Sequence, residues 1–284
     1  MRHLIYRRDL QNELLVEILQ TLSDCYSMMD AELYVVGATA RDVMLRLLKV
    51  SVLPRRTLDV DVAIALKDWS QYDRLTELML QCNFVKAKEN QRFFYCGESN
   101  QYRYEVDVVP FGELAVNEMI AWPPEGSPVM SVRCFMDVMN QADIVQVDDR
   151  FSFKVASLSG QFLIKYDTWL DRHSITSKDA ADMAFILQNV YIAYALSRQC
   201  LPDEINLDAN RFDVVVAGAE WIASDLRTML NEEHRLFYAN SFYRELELNG
   251  ESPLLNDLLD VSDSRKYELF QRAIRRIAEI LSSK

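Results

Sequence analysis

The chain has 284 residues, and half of them are hydrophobic, so it can bury a sizeable core and is not intrinsically disordered. Its formal net charge of −12 argues against a protein whose main role is to coat nucleic acid. The five cysteines lack the spacing of zinc or redox motifs, and no run approaches ~18 apolar residues. We therefore expect reduced thiols, a cytoplasmic location and no membrane span.

The first predicted elements form a helix, a strand and a second helix. Residues 9–29 place apolar side chains at helical spacing, and residues 33–36 predict a buried strand. An amphipathic helix follows from about Thr39, with Arg41 largely on its polar face. Gly37, between the strand and this helix, permits close backbone approach, and the helix N-terminus offers unpaired N–H groups to a phosphate.

Two later strands carry carboxylates on alternate positions. Asp59 and Asp61 share one face of a strand over residues 58–64, and Glu105 and Asp107 share one face of a strand over residues 102–109. Such carboxylates repel one another unless a cation neutralises them, and their oxygens suit hard divalent metals. An isolated Asp-x-Asp is more often a plain surface strand or turn, but the order and spacing of these elements favour a metal site.

Three segments together resemble the DNA polymerase β-type nucleotidyltransferase superfamily: Gly37-Ala38-Thr39-Ala40-Arg41-Asp42, Arg56-x-x-Asp59-x-Asp61 and Val106-Asp107-Val108-Val109-Pro110. Within that superfamily the chain is most similar to the AbiEii-like nucleotidyltransferases of bacterial abortive-infection and toxin–antitoxin systems. Ala38 stands where the family usually has Gly or Ser. Any hydroxyl contact to phosphate would therefore come from Thr39.

The rest of the first half is predicted from turns, caps and alternation. Asp68 can cap a helix over residues 69–82, and strands are predicted at 84–85 and 92–96. The segment from Pro110 to Pro128 is predicted to be the longest break in the chain and a natural lid or acceptor loop. A short helix over 135–142 and a hairpin of strands 144–147 and 151–155 follow. We predict an α/β (α+β) nucleotidyltransferase core over 1–155 and a helical domain over 156–284.

The helical domain contributes a second group of candidate residues. Lys165 and Arg172 lie seven apart, so they share a helix face that can hold the β- and γ-phosphates of a nucleotide; the alternative is an ordinary solvated face. The resemblance adds Asp179 and Asp182, one of which would orient Lys165 or accept a proton. Asp179 is equally well explained as an acid at a helix N-terminus. Further helices are predicted near 208–230, 232–248 and 265–282.

The resemblance implies transfer of a nucleoside monophosphate from an NTP to an acceptor hydroxyl, at an active site between the two domains. Two Mg²⁺ ions, with Mn²⁺ as the alternative, would be held by Asp59, Asp61 and Asp107. The nucleotide would be bound by residues from both halves: Gly37, Ala38, Thr39, Arg41, Lys165, Arg172, Asp179 and Asp182.

Three hypotheses about the function remain open. The first is a toxin-type enzyme that modifies tRNA or another RNA and has an antitoxin partner, which the basic residues within 41–56 would suit: Arg41, Arg46, Lys49, Arg55 and Arg56. The second is a small-molecule enzyme similar to aminoglycoside nucleotidyltransferases, whose cationic substrate would suit the acidic chain. The third is a non-catalytic nucleotide-binding partner protein, against which the intact carboxylate set argues.

Overall fold

The computed structural model describes residues 2–10, 12–50, 59–97, 104–197, 200–207, 212–259 and 266–283. Within these residues the chain divides into two compact units. The first comprises Met1–Leu47 and Ser51–Ser157, and the second comprises Leu48–Val50 and Leu158–Lys284. The fold is mixed α/β, as the sequence predicts.

The first unit contains ten strands, counted over the described residues. They are β1 (Arg2–Ile5), β2 (Tyr34–Val36), β3 (Asp59–Ala65), β4 (Phe84–Lys86), β5 (Arg92–Tyr95), β6 (Tyr104–Phe111), β7 (Met119–Ala121), β8 (Val129–Ser131), β9 (Asp143–Val147) and β10 (Phe151–Val155). The helices of this unit are α1 (Arg7–Leu10), α2 (Glu13–Ser27), α3 (Gly37–Leu47), α4 (Trp69–Gln81) and α5 (Phe135–Asn140).

Eight of these strands form one mixed sheet in the order β1-β9-β10-β2-β3-β6-β5-β4. At its centre, β2 runs antiparallel to β3, β3 runs parallel to β6, and β6 runs antiparallel to β5. Alternation explains the burial of β3, because Val60, Val62 and Ile64 point into the core while Asp59 is exposed and Asp61 is half-buried. The predicted hairpin is confirmed as the antiparallel pair β9–β10.

Side-chain caps fix the starts of the helices around this sheet. Asn12 accepts a hydrogen bond from the amide of Leu15 at the start of α2, and Asp68 accepts one from Gln71 at the start of α4, as predicted for Asp68. Helix α2 packs against α4 and β10, and α3 packs against β2 and β3.

Two predictions for this unit are wrong. The single helix predicted over 9–29 is divided between α1 and α2. The preceding residues 2–5 form β1, which was not predicted and pairs parallel to β9. The segment 110–128 is not one long break, because β6 continues to Phe111 and the pair β7–β8 forms a separate two-stranded sheet. The buried Trp122, beside Tyr72 and Trp69, fastens this segment to the unit.

The second unit is helical over its described residues, as predicted. Its helices are α6 (Leu158–Arg172), α7 (Lys178–Ser197), α8 (Val214–Met229), α9 (Glu232–Glu247), a 3₁₀ turn at Asn249–Glu251, α10 (Pro253–Leu258) and α11 (Tyr267–Ser282). Helix α11 packs against α8 and α9, and α7 packs against α6 and α8. The rings of Tyr166 and Phe242 stack at 4.0 Å in this core. No helix among the described ranges is both long and apolar enough to cross a membrane.

Candidate functional site

The acidic face of the sheet is built by the register of β3 against β6. Asp59 pairs with Glu105, and Asp61 pairs with Asp107. Parallel neighbours in register present their side chains on the same face, and adjacent strands lie about 4.8 Å apart. The structure therefore brings together four carboxylates from two central strands, including the three that the sequence assigns to metal. We call these four residues the β3–β6 carboxylate face.

Gly37 lies directly against one of these carboxylates. Val36, the last residue of β2, pairs with Asp61, so the turn into α3 passes beside the Asp61 side chain. Gly37 has a φ of +67°, and a Cβ placed on it would lie 2.0 Å from Oδ2 of Asp61. Only glycine meets both demands without strain. In this structure the close approach at Gly37 is to a carboxylate, and its predicted approach to phosphate stays a prediction.

Thr39 and its neighbours tie α3 to the same strand. The buried Thr39 donates a hydrogen bond from Oγ1 to the backbone carbonyl of Asp59 at 3.2 Å. In this structure the hydroxyl therefore positions β3, and its predicted contact with phosphate stays a prediction. Ala38 is half-buried and offers only its backbone amide.

Arg41 is not on an exposed polar face, so that prediction is wrong. Its side chain is 4% exposed, and its guanidinium contacts Oδ1 of Asp42 through Nε and Nη2, both at 3.0 Å. A buried arginine needs such a partner, because desolvation of an unpaired charge is costly. Arg46 and Lys49 of the predicted basic segment are half-buried and exposed respectively, and Arg55 and Arg56 lie outside the described residues.

Arg92 is the residue that sequence reasoning missed. It lies on β5 opposite Asp107 of β6 and donates from Nε to Oδ1 and from Nη2 to Oδ2 of that carboxylate, each at 2.8 Å. Nη2 also lies 2.7 Å from Oε1 of Glu105. The neighbouring strand β5 therefore supplies a cation to two carboxylates of β6. The sequence marks Arg92 only as the first residue of the strand predicted over 92–96.

The crowding of carboxylates on the β3–β6 carboxylate face affects the pKa of Glu105. Burial raises the pKa of Glu105, and the neighbouring Asp107 and Asp59 carboxylates raise it further, while Arg92 opposes them. Hydrogen bonding to Asp107 in turn raises the pKa of Arg92 above its usual value. Among the described residues, Arg92 pairs with Asp107 and Glu105, and Lys86 also feels the charge of Asp107. Asp59 and Asp61 add two carboxylates to the same face, and such crowding of negative charge favours a bound cation.

The donor set agrees with a hard divalent metal in its chemistry. Carboxylate oxygens are the ligands that Mg²⁺ and Mn²⁺ take in proteins, and Gly37 leaves room for the Asp61 carboxylate. Within the described part of the chain, no group of three or more potential ligand side chains converges on one point. Asp59 and Asp61 share one face of β3 beside the Gly37 turn, and this position makes them the carboxylates that best fit the role of ligand.

The candidate residues of the helical unit form an ion-pair cluster. Asp179 is fully buried at the start of α7, where Oδ1 lies 3.1 Å from Nζ of Lys165 and Oδ2 lies 2.8 Å from Nε of Arg172. Asp182 lies 3.0 Å from the same Nζ. Burial disfavours the charged form of Asp179, but Arg172 and Lys165 outweigh it and lower its pKa. Asp179 therefore both begins a helix and orients the two cations.

In this cluster the two cations of the shared helix face are bound by a carboxylate of their own unit. Lys165 and Arg172 do project together from α6, but both are engaged by Asp179 within their own unit. A phosphate would have to compete with that carboxylate for them. Their predicted contact with a triphosphate stays a prediction.

Comparison with known proteins adds no assignment to this geometry. No protein-family model matches the chain, and no curated protein sequence matches it.

Proposed function

We propose that the chain is a metal-dependent nucleotidyltransferase that moves a nucleoside monophosphate from an NTP to an acceptor hydroxyl. The observation that carries this proposal is the packing of the Gly37 turn against Asp61, beside Asp59 on the same strand. A turn that opens a helix and abuts paired carboxylates offers amide donors for phosphate next to oxygen ligands for a cation. The resemblance to AbiEii-like nucleotidyltransferases in residues 37–42, 56–61 and 106–110 supports the same reaction.

The chain's own groups have separable roles in this proposal. Asp59 and Asp61 hold the divalent cation, and the first amides of α3 receive phosphate oxygens. Thr39 fixes the start of α3 to the backbone of Asp59, so that these two sets of groups stay in register. When bound, the cation supplies Lewis-acid polarisation of a phosphoryl oxygen. Phosphoryl chemistry of this kind depends mainly on such positioning and on electrostatic stabilisation.

Two classes of acceptor are compatible with the proposed reaction, an RNA and a small cationic molecule. An RNA acceptor in a toxin–antitoxin or phage-defence setting follows from the resemblance. A small cationic acceptor is favoured by one observation of the structure, the burial of Arg41 against Asp42, which removes a cation from the basic segment. The net charge of −12 also suits a cationic acceptor.

The test is transfer of label from α-³²P NTPs, each of the four in turn, to total tRNA and to a set of aminoglycosides with Mg²⁺ present. We expect wild type to label one class of acceptor and Asp59→Asn to lose roughly 100-fold or more of that rate. The exposed Asp149, in the turn between β9 and β10, provides a matched control, because Asp149→Asn removes the same charge outside β3 and β6. Equal transfer by wild type and Asp59→Asn would refute the assignment.

A further inference from the structure

We propose that Arg92 is a positioning residue that competes with a divalent cation for Asp107 and Glu105, and so sets the metal affinity of the β3–β6 carboxylate face. The inference rests on the proposed function for its metal site. It concerns the regulation of that site rather than the reaction itself. It assigns a role to a residue outside the motifs on which the resemblance rests.

The contacts of Arg92 carry the inference. The guanidinium spans two carboxylates of one strand, with both oxygens of Asp107 at 2.8 Å and Oε1 of Glu105 at 2.7 Å. Such two-pronged arginine contacts combine charge with fixed geometry, so they are the stronger class of ion pair. The side chain is 28% exposed and Asp107 is 19% exposed, so water screens the pair only in part.

The position of these contacts gives them a consequence for metal binding. Asp107 pairs in register with Asp61, so it lies beside Asp61 on the same face and can join Asp59 and Asp61 around a cation. Arg92 uses one acceptor position on each of the two oxygens of Asp107 and places a positive charge beside them, so a metal ion binds this carboxylate less tightly. A cation that recruits Asp107 either displaces the guanidinium or binds beside its positive charge, and both lower the affinity for the cation.

Removing Arg92 should therefore strengthen metal binding, which a purely structural ion pair would not do. The variant Arg92→Gln keeps a polar side chain of similar length without the charge. The variant Arg92→Lys keeps the charge without the fork. A matched control is Arg133→Gln, because Arg133 is 22% exposed and pairs through Nε with Glu118 at 2.7 Å, in the same unit but not on the β3–β6 face.

The experiment is a calorimetric titration of Mn²⁺ into metal-free protein, with thermal unfolding recorded with and without the metal. We expect Arg92→Gln to bind Mn²⁺ about tenfold tighter than wild type or more, on the scale of losing a charged hydrogen bond. Arg92→Lys should lie between them, and Arg133→Gln should match wild type. Adding Asp61→Asn to Arg92→Gln should abolish the gain, which places the effect on this face.

An Arg92→Gln protein that folds and binds Mn²⁺ no tighter than wild type overturns the inference. If Arg92→Gln does not fold, Arg92→Lys decides, and an affinity equal to wild type overturns it as well. The result is separable from the proposed function. If Arg92→Gln binds Mn²⁺ more tightly but wild type transfers no label, only the proposed reaction is refuted. If wild type transfers label but Arg92→Gln has unchanged metal affinity, only the role of Arg92 is refuted.

Discussion

Replacing Gly37 by alanine should disturb the carboxylate face more than a glycine substitution ordinarily would. The backbone at Gly37 has a φ of +67°, and the added Cβ would lie 2.0 Å from Oδ2 and 2.9 Å from Cγ of Asp61. The substitution therefore imposes a backbone penalty and also drives the Asp61 side chain from its position.

The two penalties can be given magnitudes. A non-glycine residue in the left-handed region costs about 1–2 kcal/mol. Forcing the Asp61 side chain off its preferred rotamer adds about 0.5–1.5 kcal/mol. We expect Gly37→Ala to lower the free energy of unfolding by about 2–3 kcal/mol, on the scale of these two terms together.

Gly126 supplies the control that separates the two terms. It has a φ of +69°, and a Cβ there would meet no atom within 4 Å. Gly126→Ala should therefore show the backbone penalty alone, about 1–2 kcal/mol. The assay is thermal and denaturant unfolding of both variants, repeated with excess Mg²⁺ or Mn²⁺. Wild type and Gly126→Ala should be stabilised by the metal, and Gly37→Ala should lose most of that stabilisation because Asp61 has moved.

The reasoning would be refuted by a Gly37→Ala protein that is as stable as Gly126→Ala and gains the same stabilisation from metal. These two results together would mean that Asp61 accommodates the methyl group without leaving its position. The packing of the Gly37 turn against Asp61 would then not be needed for metal binding.

Two further predictions concern titratable groups. Asp179→Asn should cost about 2–4 kcal/mol, because it leaves Lys165 and Arg172 without their buried carboxylate, and Asp182→Asn should cost less because Asp182 is 17% exposed. Folding lowers the pKa of Asp179, so the ionised carboxylate stabilises the protein above its ordinary pKa of 3.8. This stabilisation is lost as the pH falls through the pKa of the folded state. The acid unfolding curves of wild type and Asp179→Asn should therefore converge at low pH. Burial lowers the pKa of Lys86 from 10.5 to about 8, so the free energy of unfolding should rise between pH 8 and 10.5. We expect a rise of only about 1–2 kcal/mol, because the Phe93 ring, 3.9 Å from Nζ, favours the charged form and partly offsets burial. Lys86→Met should remove that rise in urea unfolding measured across the pH range, and a rise of the same size in the variant would contradict the assignment.

Elements with strong local patterns were predictable from the sequence. The alternation in β3 gave both the strand and the shared face of Asp59 and Asp61, because a period of two is a property of the backbone itself. The cap at Asp68 was predictable because its hydrogen bond spans only three residues. Strand β1 was missed because its partner β9 lies about 140 positions away and its own four residues carry no clear pattern.

The candidate site was predictable only where it depended on one strand at a time. The pairing of Arg92 with Asp107 requires the register of β5 against β6, which no local pattern specifies. Arg41 was expected on the polar face of α3, but Asp42 neutralises it and allows its burial. In both cases an arginine is paired with a carboxylate, Arg41 with Asp42 and Arg92 with Asp107, and neither ion pair was predicted from the sequence.

The most direct test of the central claim compares two labels on the same nucleotide. Wild-type protein, Mg²⁺ and the acceptor found in the four-nucleotide screen are incubated with the NTP labelled with ³²P at either the α- or the γ-position, and the acceptor and released products are separated. Nucleotidyl transfer predicts that α-label enters the acceptor and that γ-label leaves as pyrophosphate, with both signals lost in Asp59→Asn. Entry of γ-label into the acceptor, or transfer that survives in Asp59→Asn, would contradict the account.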